Sequence, residues 1–416
     1  MKQPFHLMAK PTSYQCNLAC DYCFYLEKEQ GTLKPAKSSR HMDDNILRQY
    51  VQQYIASNPA DEVEFTWQGG EPTMAGLDFY RRALSYQRQY ANGKTIRNSM
   101  QTNGVLLDEA WAAFLAENQF LVGVSIDGPK WLHDRYRVTH SGKSVFDRVI
   151  EAVTLLKQYR VEFNLLTVVN NETAQAPLEI YRFLTQDLGA QHVQFIPAVE
   201  QREVNHAFGE LIHPQTLSNT QVTPWSVSGE AYGQFMNTIF DYWIRHDVGR
   251  VFVQLFDNAL AAWAGDKPSL CVMQATCGTG LVVEMNGDIY SCDHFVYPEH
   301  RLGNLTTDRL DKLVSSKQQR QFGMAKANLS PACQRCEYRF ACHGGCPKHR
   351  IHRVDKHWHN HLCAGYKAIF GHIDPYMRYM ALQLQQHQPP ANVMDVAAFI
   401  AAKQQASHDV TPSAKG

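Results

Sequence analysis

The sequence predicts an α/β protein, an open, partial (β/α)6 parallel barrel followed by a smaller cysteine-rich domain. Three observations point there: β-branched or aromatic runs alternate with helix-period stretches, glycine-rich polar turns close the strands, and the cysteines fall into two fields far apart in the chain. Strand–helix alternation with connections of this length implies parallel strands joined by right-handed crossovers. About six such units fall short of the eight that close a full barrel.

Taken in order, an apolar run near the N-terminus leads into Cys16-Asn17-Leu18-Ala19-Cys20-Asp21-Tyr22-Cys23. Asp43 or Asp44 is placed to cap a helix whose Ile46, Tyr50, Val51, Tyr54 and Ile55 recur at helical spacing. Strands are expected at residues 63–67, 96–102, 121–126, 163–169 and 192–196, and helices at 77–90, 108–117, 145–159 and 177–188. Residues 200–223 are polar with no clear period, so the barrel, 1–225, is expected to end there. A helix over 232–246, with Phe235, Ile239, Phe240, Trp243 and Ile244 on one face, belongs to a connector, 226–265, that packs on the barrel; a short strand follows at 251–255. The cysteine-rich domain, 266–375, opens on a hairpin, 281–285 and 289–291, turned by Asn286-Gly287-Asp288. The histidine-bearing run 343–361 reads as a solvated polar loop. The remainder, 376–416, is Gln-rich, with a short amphipathic stretch at 393–402 and a disordered tail at 407–416.

Composition narrows the partners. The 416 residues carry 40 Lys and Arg against 40 Asp and Glu, interspersed, which leaves no electrostatic footprint for nucleic acid or an anionic membrane. The longest apolar runs fall far short of the roughly 20 residues needed to cross a bilayer. Met1-Lys2-Gln3-Pro4 leads straight into a strand-like run with no signal peptide. A reducing, cytoplasmic compartment follows, where cysteines serve as metal ligands rather than disulfides.

Three of the eleven cysteines lie between Cys16 and Cys23, and the other eight between Cys271 and Cys363. The C-x-x-x-C-x-x-C spacing offers three thiolates to a four-iron cubane and leaves one iron open to a chelating small molecule. With an aromatic residue just before the third Cys, this is the radical S-adenosylmethionine signature. A zinc knuckle lacks a fourth local ligand here. In the second field, Cys271, Cys277 and Cys292 surround the hairpin, Cys333-Gln334-Arg335-Cys336 leads to Cys342-His343-Gly344-Gly345-Cys346, and Cys363 stands alone. One open cluster and two fully ligated ones would use every thiol; a structural zinc ribbon is the alternative.

Parallel sheets and barrels carry their sites at the C-terminal ends of the strands. Gln68-Gly69-Gly70-Glu71-Pro72-Thr73, Gln101-Thr102-Asn103-Gly104 and Ser125-Ile126-Asp127-Gly128-Pro129 all fall on that rim, as does the cysteine loop. Gly69 and Gly70 let backbone approach a ligand closely, and strand-end carbonyls there suit an ammonium group. Asn103 and Ser125 are turn formers or hydroxyl binders. Arg135 or Arg137 is placed to pair with a carboxylate.

With both cysteine fields in view, residues 5–375 resemble the anaerobic sulfatase-maturating enzymes, radical S-adenosylmethionine proteins with a C-terminal iron–sulfur SPASM domain. The resemblance rests on Cys16-x-x-x-Cys20-x-x-Cys23-Phe24-Tyr25, the three rim motifs, the spacing of the eight later cysteines and, above all, Cys292-Asp293. It implies three [4Fe-4S] clusters: one on Cys16, Cys20 and Cys23 that binds S-adenosylmethionine, one on Cys271, Cys277, Cys292 and Cys346, and one on Cys333, Cys336, Cys342 and Cys363. It further implies that Gly70 and Glu71 meet the cofactor's ammonium end, Ser125 its ribose or methionyl part, and an arginine near Arg137 its carboxylate; Gly69 and Asn103, by their place on the same rim, are expected as cofactor contacts beside them. Tyr25 and Gln68 would face the substrate, and Asp293 would be the catalytic base. The implied reaction uses a 5'-deoxyadenosyl radical to take a Cβ hydrogen from a Cys or Ser of a sulfatase polypeptide; Asp293 takes a proton, an electron leaves through the later clusters, and formylglycine results. The implied setting is a monomer served by a flavodoxin- or ferredoxin-type electron donor. A SPASM enzyme that crosslinks another ribosomal peptide and a non-catalytic zinc-binding adaptor are the alternatives.

Overall fold

The structure, a computed structural model, describes residues 3–25, 28, 33, 41–203, 220–354 and 356–409. Six parallel strands form the spine: β1 (His6–Lys10), β2 (Glu62–Trp67), β3 (Thr95–Thr102), β4 (Leu121–Ser125), β5 (Glu162–Val169) and β6 (His192–Pro197), paired in chain order. The crossover helices are α1 (Asp44–Ser57), α2 (Leu77–Tyr90), α3 (Glu109–Glu117), α4 (Lys130–Tyr136), α5 (Phe146–Gln158) and α6 (Pro177–Arg182). Their starts are written locally: Asp43 accepts from the Ile46 N–H and Asp108 from the Trp111 N–H, both at 2.9 Å. Burial alternates along β2, where Val63, Phe65 and Trp67 face the core, while four of the five residues of β4 are buried. All five helical positions singled out between Ile46 and Ile55 are buried.

After β6, an antiparallel pair, β7 (Gln201–Glu203) and β8 (Thr220–Val222), flanks residues 204–219, which lie outside the described residues together with much of the expected end of the barrel domain. Then come α7 (Gly229–His246), β9 (Phe252–Val253) and α8 (Gln254–Trp263). The strand expected at 251–255 is only these two residues, pairing with β6; from Gln254 the chain is helical.

The hairpin of the cysteine-rich region, β10 (Gly280–Glu284) and β11 (Asp288–Tyr290), does not stand apart. β10 pairs in parallel with β1 along its whole length, Lys10 opposite Glu284, so the sheet runs on through β11 to β12 (Arg301–Asn304) and reaches ten strands with two open edges. The histidine-rich run is not a solvated loop: β13 (Arg350–Val354) and β14 (His357–Asn360) pair there, and Lys348, His349 and Arg350 are buried. Beyond it, a helix over Cys363–Gln385 packs on α7. Gly229, Gly233 and Gly365 allow this, since a Cβ at Gly365 would strike the Gly229 carbonyl. That crossing fixes Cys363 at the mouth of the helix. A last helix runs Val393–Asp409, through the start of the expected disordered tail; 410–416 lie outside the described residues. Among the described residues no helix is long and apolar enough to cross a membrane.

Candidate active site

The cysteine loop follows β1 and is stitched to the rim on both sides. The Glu71 N–H donates to the Gln15 carbonyl at 2.9 Å, and the Ala19 N–H donates to the Val138 carbonyl at 2.9 Å. Gly69 and Gly70, at φ +90° and +46°, do make room, but for the chain itself: a Cβ on Gly69 would strike the Lys10 side chain and one on Gly70 the Gln15 carbonyl.

The Glu71 side chain likewise serves the chain itself. Its carboxylate is buried and turned inward, accepting from the Thr73 N–H (3.1 Å), the Thr73 hydroxyl (2.6 Å), the Thr102 hydroxyl (2.7 Å) and the Asn103 N–H (2.7 Å). Burial pushes its pKa up even against these four donors. The side chain is a brace between two rim motifs. Asn103 braces too, its Nδ2 donating to Asn17 Oδ1 at 2.7 Å and lying 3.6 Å from Cys16 Sγ. Ser125 is buried at the end of β4. Arg137 is buried and gives its Nε to Asp127 at 3.0 Å, which leaves only its terminal nitrogens for a second carboxylate. Burial alone would lower its pKa, and Asp127 more than offsets that. Arg135 is exposed and pairs with Glu172.

The donor sets fit iron–sulfur clusters. All eleven cysteines are free thiols. Burial raises the Cys16, Cys342 and Cys346 thiols to about 12, so ionising them calls for a cation. Cys333, Cys336, Cys342 and Cys363 line one pocket. Cys271, Cys277, Cys292 and Cys346 stand within electrostatic reach of one another on the other side of the Cys342–Cys346 loop. Among the described residues no three His, Cys, Asp or Glu side chains converge as a single-ion site.

Above the cysteine loop lies a chamber of buried charge. Gln68 accepts from Lys10 Nζ and gives its Nε2 to Gln101 at 2.5 Å. The Tyr25 hydroxyl donates to Glu284 Oε1 at 2.5 Å, and the other carboxylate oxygen of Glu284 is buried with no hydrogen-bond partner among the described residues. Lys28 donates to the Asp293 carbonyl at 3.3 Å and lies 4.4 Å from the centre of the Tyr25 ring. Lys348 pairs with Glu200 and sits 4.1 Å over Phe24. Asp293 Oδ1 accepts from Cys292 Sγ at 3.4 Å. Burial alone would raise the Asp293 pKa, but His294, Lys10 and Lys28 hold it well below the carboxylate range. The Lys10 and Lys28 ammonium groups are in turn pushed down, chiefly by burial.

The structure thus brings Tyr25, Gln68 and Asp293 to one chamber and adds Lys10, Lys28, Glu284 and Lys348, which the sequence reading missed. For Glu284 a signal existed: it is an acid closing a strand, where parallel sheets carry their chemistry.

Residues 11–184 match the Radical SAM superfamily, and residues 275–337 match SPASM, an iron–sulfur cluster-binding domain. The chain is 43% identical, over 94% of its length and 95% of the relative's, to the serine-type anaerobic sulfatase-maturating enzyme of Bacteroides thetaiotaomicron. It is 35% identical, over 89% of its length and 97% of the relative's, to the cysteine-type enzyme of Clostridium perfringens. Among solved structures, native anSMEcpe with bound AdoMet and Cp18Cys peptide superposes with a TM-score of 0.80 at 32% identity, covering 92% of this chain and all of that one. With these matches spanning both cysteine fields and the chamber between them, the chain belongs to the anaerobic sulfatase-maturating enzymes, radical S-adenosylmethionine enzymes that carry an iron–sulfur SPASM domain.

Proposed function

We propose that this enzyme oxidises the side chain of a Ser or Cys residue in a sulfatase polypeptide to formylglycine, and that Ser is its substrate residue. The observation that carries the reading is the chamber: Asp293, directly after Cys292, shares it with Tyr25, Gln68 and two buried lysines at the C-terminal rim of the sheet. The Ser preference draws on the 43% identity to the serine-type relative against 35% to the cysteine-type one.

Cys16, Cys20 and Cys23 would hold the cofactor-binding cluster, and the sets Cys271, Cys277, Cys292, Cys346 and Cys333, Cys336, Cys342, Cys363 the two auxiliary ones. When bound, S-adenosylmethionine and the first cluster supply the radical that removes a hydrogen atom from the substrate Cβ. The chain's own residues place that carbon and manage the proton. Tyr25 and Gln68, each fixed by a buried partner, form the wall against which the peptide lies. Asp293, held well below the carboxylate range and so ionised, accepts the hydroxyl proton. The Gly70 carbonyl remains for an ammonium group, beside the Gly69 carbonyl, which accepts from the Thr12 hydroxyl, and the Glu71 carbonyl, which accepts from that hydroxyl and the Met74 N–H; Ser125 and Asn103 remain for hydroxyl groups. The reading carries with it a barrel over 1–225, a connector over 226–265 and a cluster domain over 266–375, together with a monomer working in the cytoplasm with a flavodoxin- or ferredoxin-type electron donor.

Asp293→Asn keeps the shape and removes the base. Reconstituted anaerobically with reductant, S-adenosylmethionine and paired Ser and Cys sulfatase-motif peptides, the parent should convert the Ser peptide with loss of two hydrogens. The Asn variant should still form 5'-deoxyadenosine while formylglycine falls by about 10²- to 10⁴-fold. Parental formylglycine from the variant would remove Asp293 from the role, and conversion of the Cys peptide alone would reverse the preference.

A further inference from the structure

Arg350 lies where the two groups of later cysteines meet. Cys342 and Cys346 bound one short loop yet belong to different groups, and that loop closes around the Arg350 guanidinium. Nε donates to the Gly344 carbonyl at 3.2 Å, Nη2 to the His343 carbonyl at 3.0 Å and Nη1 to the Lys326 carbonyl at 2.8 Å. Gly344, at φ +74°, is a glycine for a reason: a Cβ there would stand 2.8 Å from Arg350 Nη2. Only 4% of Arg350 is exposed. The thiols in its field are Cys277 and Cys346 of one group and Cys333 and Cys342 of the other.

Lys326 is its neighbour, 1% exposed, with Nζ donating to the Cys271 carbonyl at 2.6 Å and the Val272 carbonyl at 3.1 Å. Its field takes in Cys271, Cys277 and Cys346, all of one group. Neither cation has a carboxylate partner among the described residues. Two buried positive charges held only by carbonyl oxygens carry a desolvation cost that carbonyl dipoles offset only in part. The negative charge that completes the balance is the thiolate sulfur facing them.

We propose that Arg350 and Lys326 are tuning residues that set the reduction potentials of the two auxiliary clusters, Arg350 acting on both and Lys326 only on the cluster held by Cys271, Cys277, Cys292 and Cys346. A buried cation beside a thiolate-ligated cluster stabilises the more negative, reduced state and so raises its potential. Arg350 lifts both clusters together, and Lys326 adds a bias toward the first. An electron arriving from the chamber is thereby drawn to the cluster nearest Asp293.

The proposal rests on the reading that the eight cysteines hold two clusters, and the test separates the two. Iron and sulfide content and redox titration followed by electron paramagnetic resonance are recorded on the same samples of the parent, Arg350→Gln, Arg350→Lys and Lys326→Gln. Missing auxiliary iron in the parent would sink the cluster reading. In loaded protein, Arg350→Gln should shift both auxiliary potentials to more negative values. Arg350→Lys, which keeps the charge, should leave both close to parental. Lys326→Gln should shift one alone, and the cluster on Cys16, Cys20 and Cys23 should stay in place throughout. Auxiliary potentials unmoved in Arg350→Gln, or moved equally in Arg350→Lys, would overturn the proposal. If Arg350→Gln does not retain its iron, Lys326→Gln decides: two clusters shifted equally, or none, is the negative result.

Discussion

The rim under the cysteine loop and the chamber above it are built from the same material, buried charged side chains, and they use it in opposite ways. On the rim each charge is matched. Glu71 receives four donors, and Asp127, fully buried, takes the Tyr22 hydroxyl, Arg137 Nε and the Val168 N–H. In the chamber the matching is incomplete: Glu284 has an orphaned oxygen, and of the three lysines only Lys348 has an ion-pair partner, Glu200, among the described residues. A satisfied network stiffens a scaffold, whereas one left open keeps charge available to something that arrives later. The rim therefore owes the enzyme stability and the chamber owes it turnover.

Breaking the rim tests that division most severely. Asp127→Asn removes the charge that faces Arg137 and leaves a buried guanidinium uncompensated, a change that costs about 3–5 kcal/mol in comparable buried pairs. Anaerobic urea unfolding should show the midpoint falling with an unchanged slope, and the loss should be far larger than for Asp293→Asn in the chamber. Equal losses at the two sites would erase the distinction.

A somewhat smaller effect lies one residue layer away. His133 is buried and accepts the Asp127 N–H on Nδ1 at 3.4 Å; burial, aided by Arg137, lowers its pKa to about 4, against the pull of Asp127. The fold keeps the neutral ring while the unfolded chain takes up a proton below its ordinary pKa near 6.5. Stability should thus be complete above about pH 6.5, fall as the pH drops from there toward 4, and level off below. The loss from this one group is about 3 kcal/mol. His133→Gln should flatten the curve across that window; an unchanged slope would place the titration elsewhere.

What the sequence could tell about these regions depended on distance along the chain. Caps at Asp43 and Asp108, the cysteine loop and the rim turns are local, and their chemistry reads directly from spacing. The chamber is not local. Lys10 meets Glu284 only because β10 pairs with β1 across most of the chain, and no periodicity announces such a pairing. The inward turn of the Glu71 side chain was illegible for a related reason: its donors include Thr102 and Asn103, and spacing cannot say which way a carboxylate turns. The helix Cys363–Gln385 carries a clear apolar stripe at Tyr366, Ile369, Phe370, Ile373, Tyr376, Met377 and Met380, but Gly365, Gly371 and Pro375 argue against a helix locally. Packing on α7 overrides that propensity. At 251–255 the opposite error arose, where Val251, Phe252 and Val253 read as a strand and the chain turns helical one residue later.

The finest test of the comparison uses two arginines on the same rim. Arg135 and Arg137 are separated by one residue and both form an ion pair, but the Arg137 side chain is 9% exposed and faces a fully buried acid, while that of Arg135 is 59% exposed and faces Glu172 at the surface. Water screens the outer pair and two flexible side chains lose freedom in making it, so its net contribution is small. Arg135→Ala should leave the unfolding midpoint, cluster content and turnover indistinguishable from parental, in low salt as in high. Arg137→Ala should lose both stability and iron retention, because Asp127 is then stranded beside the cysteine loop. If the outer variant proved as costly as the inner one, partnership rather than burial would be what makes a rim charge structural.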